Sequence, residues 1–306
     1  MVMLTEVELD ELRTLQTPTG LSRLKKSFRK NWNLYTESPF GLIGLFLVIF
    51  FISLALFGPF LTLYNPDTPN TGPPRVAPSL GHPLGTDLQG HDIFSQIIIG
   101  TQMSLLIGLS AAFISVIIGC FTGLVAGYYG GIIDNILMRI TDFFVQIPSF
   151  PLMLVLAAFF GGGVQNLILV IGVLGWTSTA RIVRSETLTL KERAYVEAAR
   201  SIGAKDTHII LSHILPNVLP LVTANTIIKV VDSIISEAGL SFLGFGDPNL
   251  WTWGKILNLA VSEEAMLAEY WTHILAPGAC IMLLALGFSL ISFSLNEIVN
   301  PKLRKK

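Results

Sequence analysis

The chain has 306 residues, of which 51% are hydrophobic and only 13% charged, and its mean hydropathy is +0.63. Such a balance belongs to a multispanning membrane protein, since most of its surface must face lipid or other helices. A net charge of −1 offers no basic excess for nucleic acid, so what matters is where the charges sit.

In chain order, windows of the roughly 20 apolar residues that a spanning helix needs fall at 40–61, 104–128, 136–160, 164–181, 218–242 and 273–295. They predict an all-α, polytopic protein of six transmembrane helices. The first window anchors the chain rather than being cleaved, because 39 residues precede it and Gly58-Pro59 follows it without a small-residue cleavage site. The predicted order is a cytoplasmic segment over 1–39, an anchoring helix over 40–61 and an extracytoplasmic loop over 62–97. A five-helix core over 98–299 and a basic tail over 300–306 complete it. Cys120 and Cys280 lie inside apolar runs and read as packing residues.

Lys and Arg near helix ends set orientation, because positive loops stay in the cytoplasm. Arg13, Arg23, Lys25, Lys26, Arg29 and Lys30 precede the first window, and Arg181, Arg184, Lys191, Arg193, Arg200 and Lys205 lie between the fourth and fifth. Lys302, Arg304, Lys305 and Lys306 end the chain, whereas the alternate loops hold only Arg75 and Lys255. Both termini and the long charged loop are therefore expected in the cytoplasm.

That charged loop, spanning 185–217, reads as a hairpin of two short helices. Residues 188–202 place Leu190, Ala194, Val196, Ala198, Ala199 and Ile202 at helical spacing, Gly203 allows a sharp reversal, and a second amphipathic stretch over 207–214 is expected to stop at Leu215-Pro216. The hairpin offers an apolar ridge to a partner.

Glu197-Ala198-Ala199, three residues, Gly203, eleven residues and Leu215-Pro216 resemble the EAA loop of membrane subunits of ATP-binding-cassette (ABC) importers with the type I permease fold. Further blocks narrow the resemblance to the second permease subunit of the dipeptide and oligopeptide branch: HPLGTDLQGHDIFSQ at 82–96, AGYYGGIIDNILMRITD at 126–142, EAGLSFLGFGDPN at 237–249, WTWGKIL at 251–257 and NPKLRKK at the end. Where that branch commonly has arginines in and just after the outer block, this chain has His91, Gln96 and Gln102; two residues before Leu215, where the wider superfamily often has isoleucine, it has His213.

The resemblance implies that the hairpin couples the chain to a cytosolic ATPase through Tyr195, Val196, Glu197, Ala198, Ala199 and Arg200. Ile202, Gly203, Ala204, Leu215 and Pro216 would complete that element. It further implies a homologous second permease, two ATPase subunits that carry ATP and magnesium, an extracytoplasmic substrate-binding protein and a bacterial or archaeal cell membrane. Members of the branch carry peptides, oligosaccharides or nickel, with peptides the first expectation here.

Ionisable residues inside spans are candidates for function. Lys229 and Asp232 are three apart on the fifth window, hence on one face, and lie either on the translocation path or in a structural pair. Arg139 and Asp142 share that spacing and are expected to pair structurally. Gly119, Gly123 and Gly127 form a small-residue ridge suited to close helix packing. Trp251, Trp253, Tyr270 and Trp271 are aromatic residues suited to the membrane interface, and Glu263, Glu264 and Glu269 make the last outer loop acidic.

No catalytic or metal-binding constellation is present. His208 and His213 are five apart without an intervening Glu, and no G-x-x-x-x-G-K-[ST] loop occurs. The chain is thus expected to bind no cofactor itself. A secondary transporter would need ion-coupling residues and internal repeats, and an intramembrane enzyme would need converging nucleophiles or ligands; neither is visible.

Overall fold

The computed structural model describes residues 35, 36, 38–69, 71–262 and 271–299. The N-terminal and C-terminal basic residues, Tyr270 and the three glutamates at 263, 264 and 269 lie outside them. Among the described residues, ten α-helices and one shorter helical turn follow in order: α1 Pro39–Leu61, α2 Ile93–Tyr129, α3 Gly131–Gln146, α4 Ser149–Phe160, α5 Val164–Leu174, α6 Thr177–Lys191, α7 Ala194–Ser201, the turn α8 Asp206–Ile209, α9 Leu215–Phe242, α10 Trp253–Ser262 and α11 Trp271–Val299. Among the described residues there is no strand beyond an isolated bridge between Thr86 and Asp92.

Four helical segments are individually long and apolar enough to cross a membrane, and two bent pairs bring the spans to six. The third span is not the continuous helix expected over 136–160: α3 and α4 meet at 88°. Pro148 explains the break, because it forces the residue before it out of the helical region and lacks an N–H; Ile147 is extended at φ −85, ψ 129. The fourth span bends by 40° between α5 and α6, where Gly175 and Trp176 interrupt it, and runs on to Lys191.

The second span starts earlier than the hydropathy window. Asp92 caps α2 by accepting from the Ser95 N–H at 2.8 Å, a bond that satisfies one of the helix's unpaired first-turn donors. The resulting 37 residues extend about 55 Å at the usual rise. This long helix is the spine of the bundle, packing against α1, α5, α6 and α9.

Close approach of α2 to α6 follows from the glycine ridge. A Cβ on Gly119 would lie 2.6 Å from Thr179 Cβ, one on Gly123 2.5 Å from the Ala180 carbonyl oxygen, and one on Gly127 2.7 Å from Thr187 Cβ. The ridge, whose spacing predicts close helix packing, therefore finds its partner within the subunit, on α6.

Three apolar cores follow the spine. One joins Phe51 of α1, Ile97 of α2, Ile234 of α9 and Phe288 of α11 around Trp253. A second fills the middle of the bundle between α2, α4 and α5. The third lies under the charged hairpin.

Of the three tryptophans expected at the interface, Trp251 and Trp253 are buried instead. Trp253 is fully covered; its backbone N–H donates to Ser104 Oγ at 3.1 Å and its indole N–H to the Ile97 carbonyl at 3.3 Å. Trp251 donates to Asp67 Oδ1 at 2.7 Å, with Lys255 Nζ 4.5 Å from its ring centre. A large apolar ring with one N–H donor fits a core when an acceptor is within reach, and here the segment that runs from Trp251 into α10 turns both rings inward. Trp271 remains half exposed.

Candidate functional site

The hairpin begins where α6 ends. The helix expected over 188–202 is interrupted at Glu192 and Arg193, and α7 restarts at Ala194 after an extended Arg193 at ψ 140. Alternating burial then divides its faces. Val196 is fully buried and Ala199 nearly so, packed with Leu124, Tyr128, Val183, Leu190 and Ile209, while Tyr195, Glu197, Ala198, Arg200 and Ile202 face outward. Half of the ridge expected to await a partner, Leu190, Val196 and Ala199, is therefore spent on the chain's own bundle. What stays outside is a mixed face in which the apolar Ile202 is 86% exposed.

Gly203 closes α7. Its φ of +85 is the left-handed region that glycine enters without steric cost. The Ala204 N–H reaches the Ala199 carbonyl at 3.1 Å and the Gly203 N–H reaches that of Arg200 at 3.0 Å, the paired bonds that terminate a helix and reverse the chain. A Cβ there would touch nothing within 4 Å, so the demand is conformational alone.

Leu215-Pro216 does not stop the second limb. From α8 the backbone passes through a π-turn at Ile210–Ile214 into α9, so residues from Asp206 to Phe242 form one rod of 37 residues. The wider turn accommodates the proline: the Leu215 N–H donates five residues back to Ile210, and the Asn217 side chain donates to the His213 carbonyl at 2.6 Å. Freed carbonyls in such a turn need partners.

Polar clamps fix the hairpin, and the helix α6 that leads into it, to the bundle. Tyr128 donates to Asp206 Oδ1 at 2.6 Å beneath the Arg200 guanidinium, which lies 5.9 Å from its ring centre. Lys191 Nζ donates to the Gly127 carbonyl at 3.0 Å. Arg184 grips Asp134 of α3 with two parallel bonds, its Nη2 reaching Oδ2 at 2.6 Å. Asp142 pairs not with Arg139 but with Arg181 of α6 at 2.6 Å, because α6 packs alongside α3 and supplies a guanidinium; Arg139 forms no ion pair among the described residues. These clamps join positions far apart in sequence, and no spacing rule reveals them.

Farther along α9, Lys229 Nζ lies 3.0 Å from Asp232 Oδ2, as their spacing predicts. The pair lines a cleft of about 420 Å³ between α4, the α5–α6 bend and α9, with Ser149, Thr177, Ser178, Ser233 and Ser236 around it. Lys229 lies about 20 Å along the helix from Pro216.

Toward the opposite end, two histidine–aspartate pairs organise the loop before α2. His91 Nδ1 is 2.8 Å from Asp87 Oδ2, which also accepts from Gln96 Nε2 at 2.8 Å, and His82 Nδ1 is 3.0 Å from Asp92 Oδ1. Thus His91 and Gln96, where the resembled branch has arginines, are bound inward to one carboxylate, while Gln102 is exposed. Burial lowers the Lys255 ammonium's pKa, against the pull of Asp67 and Asp247. His208 and His213 meet edge to face at 5.6 Å, and among the described residues no three His, Cys, Asp or Glu side chains gather as a metal would require.

Residues 115–305 match the family described as the binding-protein-dependent transport system inner membrane component, and residues 27–78 match the N-terminal TM domain of oligopeptide transport permease C. The chain is 32% identical to the oligopeptide transport system permease protein OppC of Bacillus subtilis (strain 168), over 89% of this chain and 88% of that one. It is 33% identical to the dipeptide transport system permease protein DppC of Alkalihalophilus pseudofirmus (94% and 92% covered) and 34% identical to the glutathione transport system permease protein GsiD of Pectobacterium atrosepticum (92% and 93%). Among solved structures, a chain of the MetNI methionine ABC transporter superposes with a TM-score of 0.53 at 21% identity, covering 68% of this chain and 97% of that one, which shows the shared type I permease fold. The chain belongs to the family of inner membrane components of binding-protein-dependent transport systems.

Proposed function

We propose that this chain forms half of the translocation pathway of an ATP-driven importer for di- and oligopeptides. The observation that carries this reading is the hairpin: α7 has its Val196–Ala199 face bound into the bundle, its Glu197–Ala198 face open, and a glycine-terminated end. A plain connection between spans needs none of these. Peptide cargo is supported by relatives whose names specify oligopeptides, dipeptides and glutathione.

On this reading the hairpin and both termini are cytoplasmic, and one ATPase subunit docks against the open face of α7 and Gly203. A homologous second permease completes the pathway in a heterodimer, a second ATPase serves that permease, and an extracytoplasmic binding protein delivers cargo. Lipid surrounds the outward helices, and nucleic acid has no part. The chain is non-catalytic and binds no cofactor; ATP and magnesium reside on the ATPases.

ATP-driven approach of the ATPases would move the hairpins as rigid bodies. Here the Tyr128–Asp206 and Lys191–Gly127 contacts resist shear between hairpin and bundle, and the Arg184–Asp134 pair ties α6, which leads into the hairpin, to α3. The unbroken rod from Asp206 to Phe242 carries displacement to Lys229 and Asp232, which line the pathway.

Affinity isolation from the native membrane in mild detergent, with partners identified by mass spectrometry and ATPase activity assayed, tests the assembly. Recovery of a second permease and ATPase subunits, lost on substituting Glu197 and Gly203, is expected. Isolation of the chain alone, under conditions where known complexes survive, would contradict it.

A further inference from the structure

We propose that Asp232 is a cation-recognition point in the membrane cleft, where its uncommitted carboxylate oxygen receives the ammonium group of passing cargo while Lys229 serves as a covered counter-ion. The inference rests on the pathway reading above and adds the chemical group that the cleft selects.

Two breaks in the helices, the 88° turn before α4 and the 40° bend before α6, create the space against the facing wall of α9. Lys229 and Asp232 are the charged side chains among its lining residues. Their exposure is unequal. The Lys229 side chain is 14% exposed and that of Asp232 57%. The Lys229 ammonium is covered, and the Asp232 carboxylate stands in front of it at the open side of the cleft.

Asp232 Oδ2 accepts from Lys229 Nζ at 3.0 Å, and Oδ1 accepts no hydrogen bond among the described residues. An approaching cation meets this oxygen before it meets the ammonium; an approaching anion meets it first as well, and is repelled. Because the pair is neutral overall, the attraction is local and releases cargo readily, as a transit point must. A peptide's α-ammonium is the cationic group common to all such cargo, whatever its side chains.

The test uses the complete complex, with Cys120 and Cys280 replaced by alanine and Ser236→Cys introduced one turn beyond Asp232, on the same cleft wall. Labelling rates are compared for cationic trimethylammonioethyl and anionic sulfonatoethyl methanethiosulfonates, each corrected for its rate with a free thiol in solution. The cationic reagent is expected to react about fivefold faster, below the ~10–10³-fold of a cleft lined by one sign of charge because this pair is neutral overall. Asp232→Asn should abolish that preference, Asp232→Glu retain it and Lys229→Met increase it. Trialanine should slow labelling, and N-acetyl-trialanine should not. Equal rates for both reagents, a preference indifferent to Asp232→Asn, or no labelling of a thiol at the site would overturn the proposal. Ser149→Cys on α4, across the cleft, applies the same criteria should Ser236→Cys fail to assemble. ATP-driven uptake by the unsubstituted complex is measured separately: its absence would overturn the importer reading and leave the electrostatic preference standing or falling on its own.

Discussion

The hydroxyl of Tyr128, near the end of the longest helix, donates to Asp206 Oδ1 at 2.6 Å, joining α2 to the second limb of a hairpin 78 residues further along the chain. This bond ties a membrane spine to the element proposed to meet the ATPase. Tyr128→Phe keeps the ring and its contact with Arg200 but removes the bond, at a cost of about 1 kcal/mol. The complex should assemble and hydrolyse ATP while moving less cargo per ATP, as read by uptake and hydrolysis in the same proteoliposomes. An unchanged ratio would remove the bond from the coupling path.

Gly203 tests conformation separately from space. With φ at +85 and no atom within 4 Å of an added Cβ, Gly203→Val meets no clash yet pays the left-handed penalty of about 1–2 kcal/mol. Co-purification of the ATPase should fall. Gly203→Asn, a residue that tolerates this region, should retain most of it.

Gly123 is the converse case. A side chain there meets the Ala180 carbonyl oxygen and Val183 Cβ at 2.5 and 2.7 Å, so Gly123→Leu forces α2 from α6. Overpacking of this kind costs about 1–3 kcal/mol or more. Thermal stability of the detergent-solubilised chain, followed by size-exclusion chromatography, should drop well below that of the unsubstituted protein.

Trp253 and Trp271 should respond very differently to alanine. Trp253 is wholly buried with both N–H groups engaged, and its loss should cost about 3–5 kcal/mol. Trp271, half exposed, should change stability by about 0.5 kcal/mol or less. The same thermal assay compares them.

Lys229→Met leaves the Asp232 carboxylate without its counter-ion. Uptake should fall severalfold with assembly intact, because an unbalanced anion in the cleft holds cationic cargo too long. Normal uptake would take the residue out of the pathway.

Much of this architecture was legible before any coordinates. Hydropathy located the six spans because lipid demands long apolar runs, and the Gly203 reversal followed from backbone sterics. A close-packing ridge is legible in Gly119, Gly123 and Gly127, whereas its partner α6 is not. Hydropathy does not register direction, however, so the 88° break at Pro148 was hidden inside one apolar window. The π-turn before Pro216 was hidden too, since a proline reads as a stop unless side chains such as Asn217 take over the freed carbonyls. Trp251 and Trp253 were misplaced because their acceptors, Asp67 and the Ile97 carbonyl, lie more than 150 residues away. The Asp134–Arg184 and Asp142–Arg181 pairs were invisible for the same reason: helix spacing reports neighbours on one helix, and the favoured partners lay on another.

Reconstitution of the chain with its second permease, ATPases and binding protein in proteoliposomes, followed by uptake of labelled tripeptide, tests the central claim most directly. Uptake that requires ATP on the hairpin side and the binding protein on the other, and that is abolished by substituting Glu197 and Gly203 together, is the predicted result. Uptake by this chain alone, driven by an ion gradient without ATP, would contradict the account.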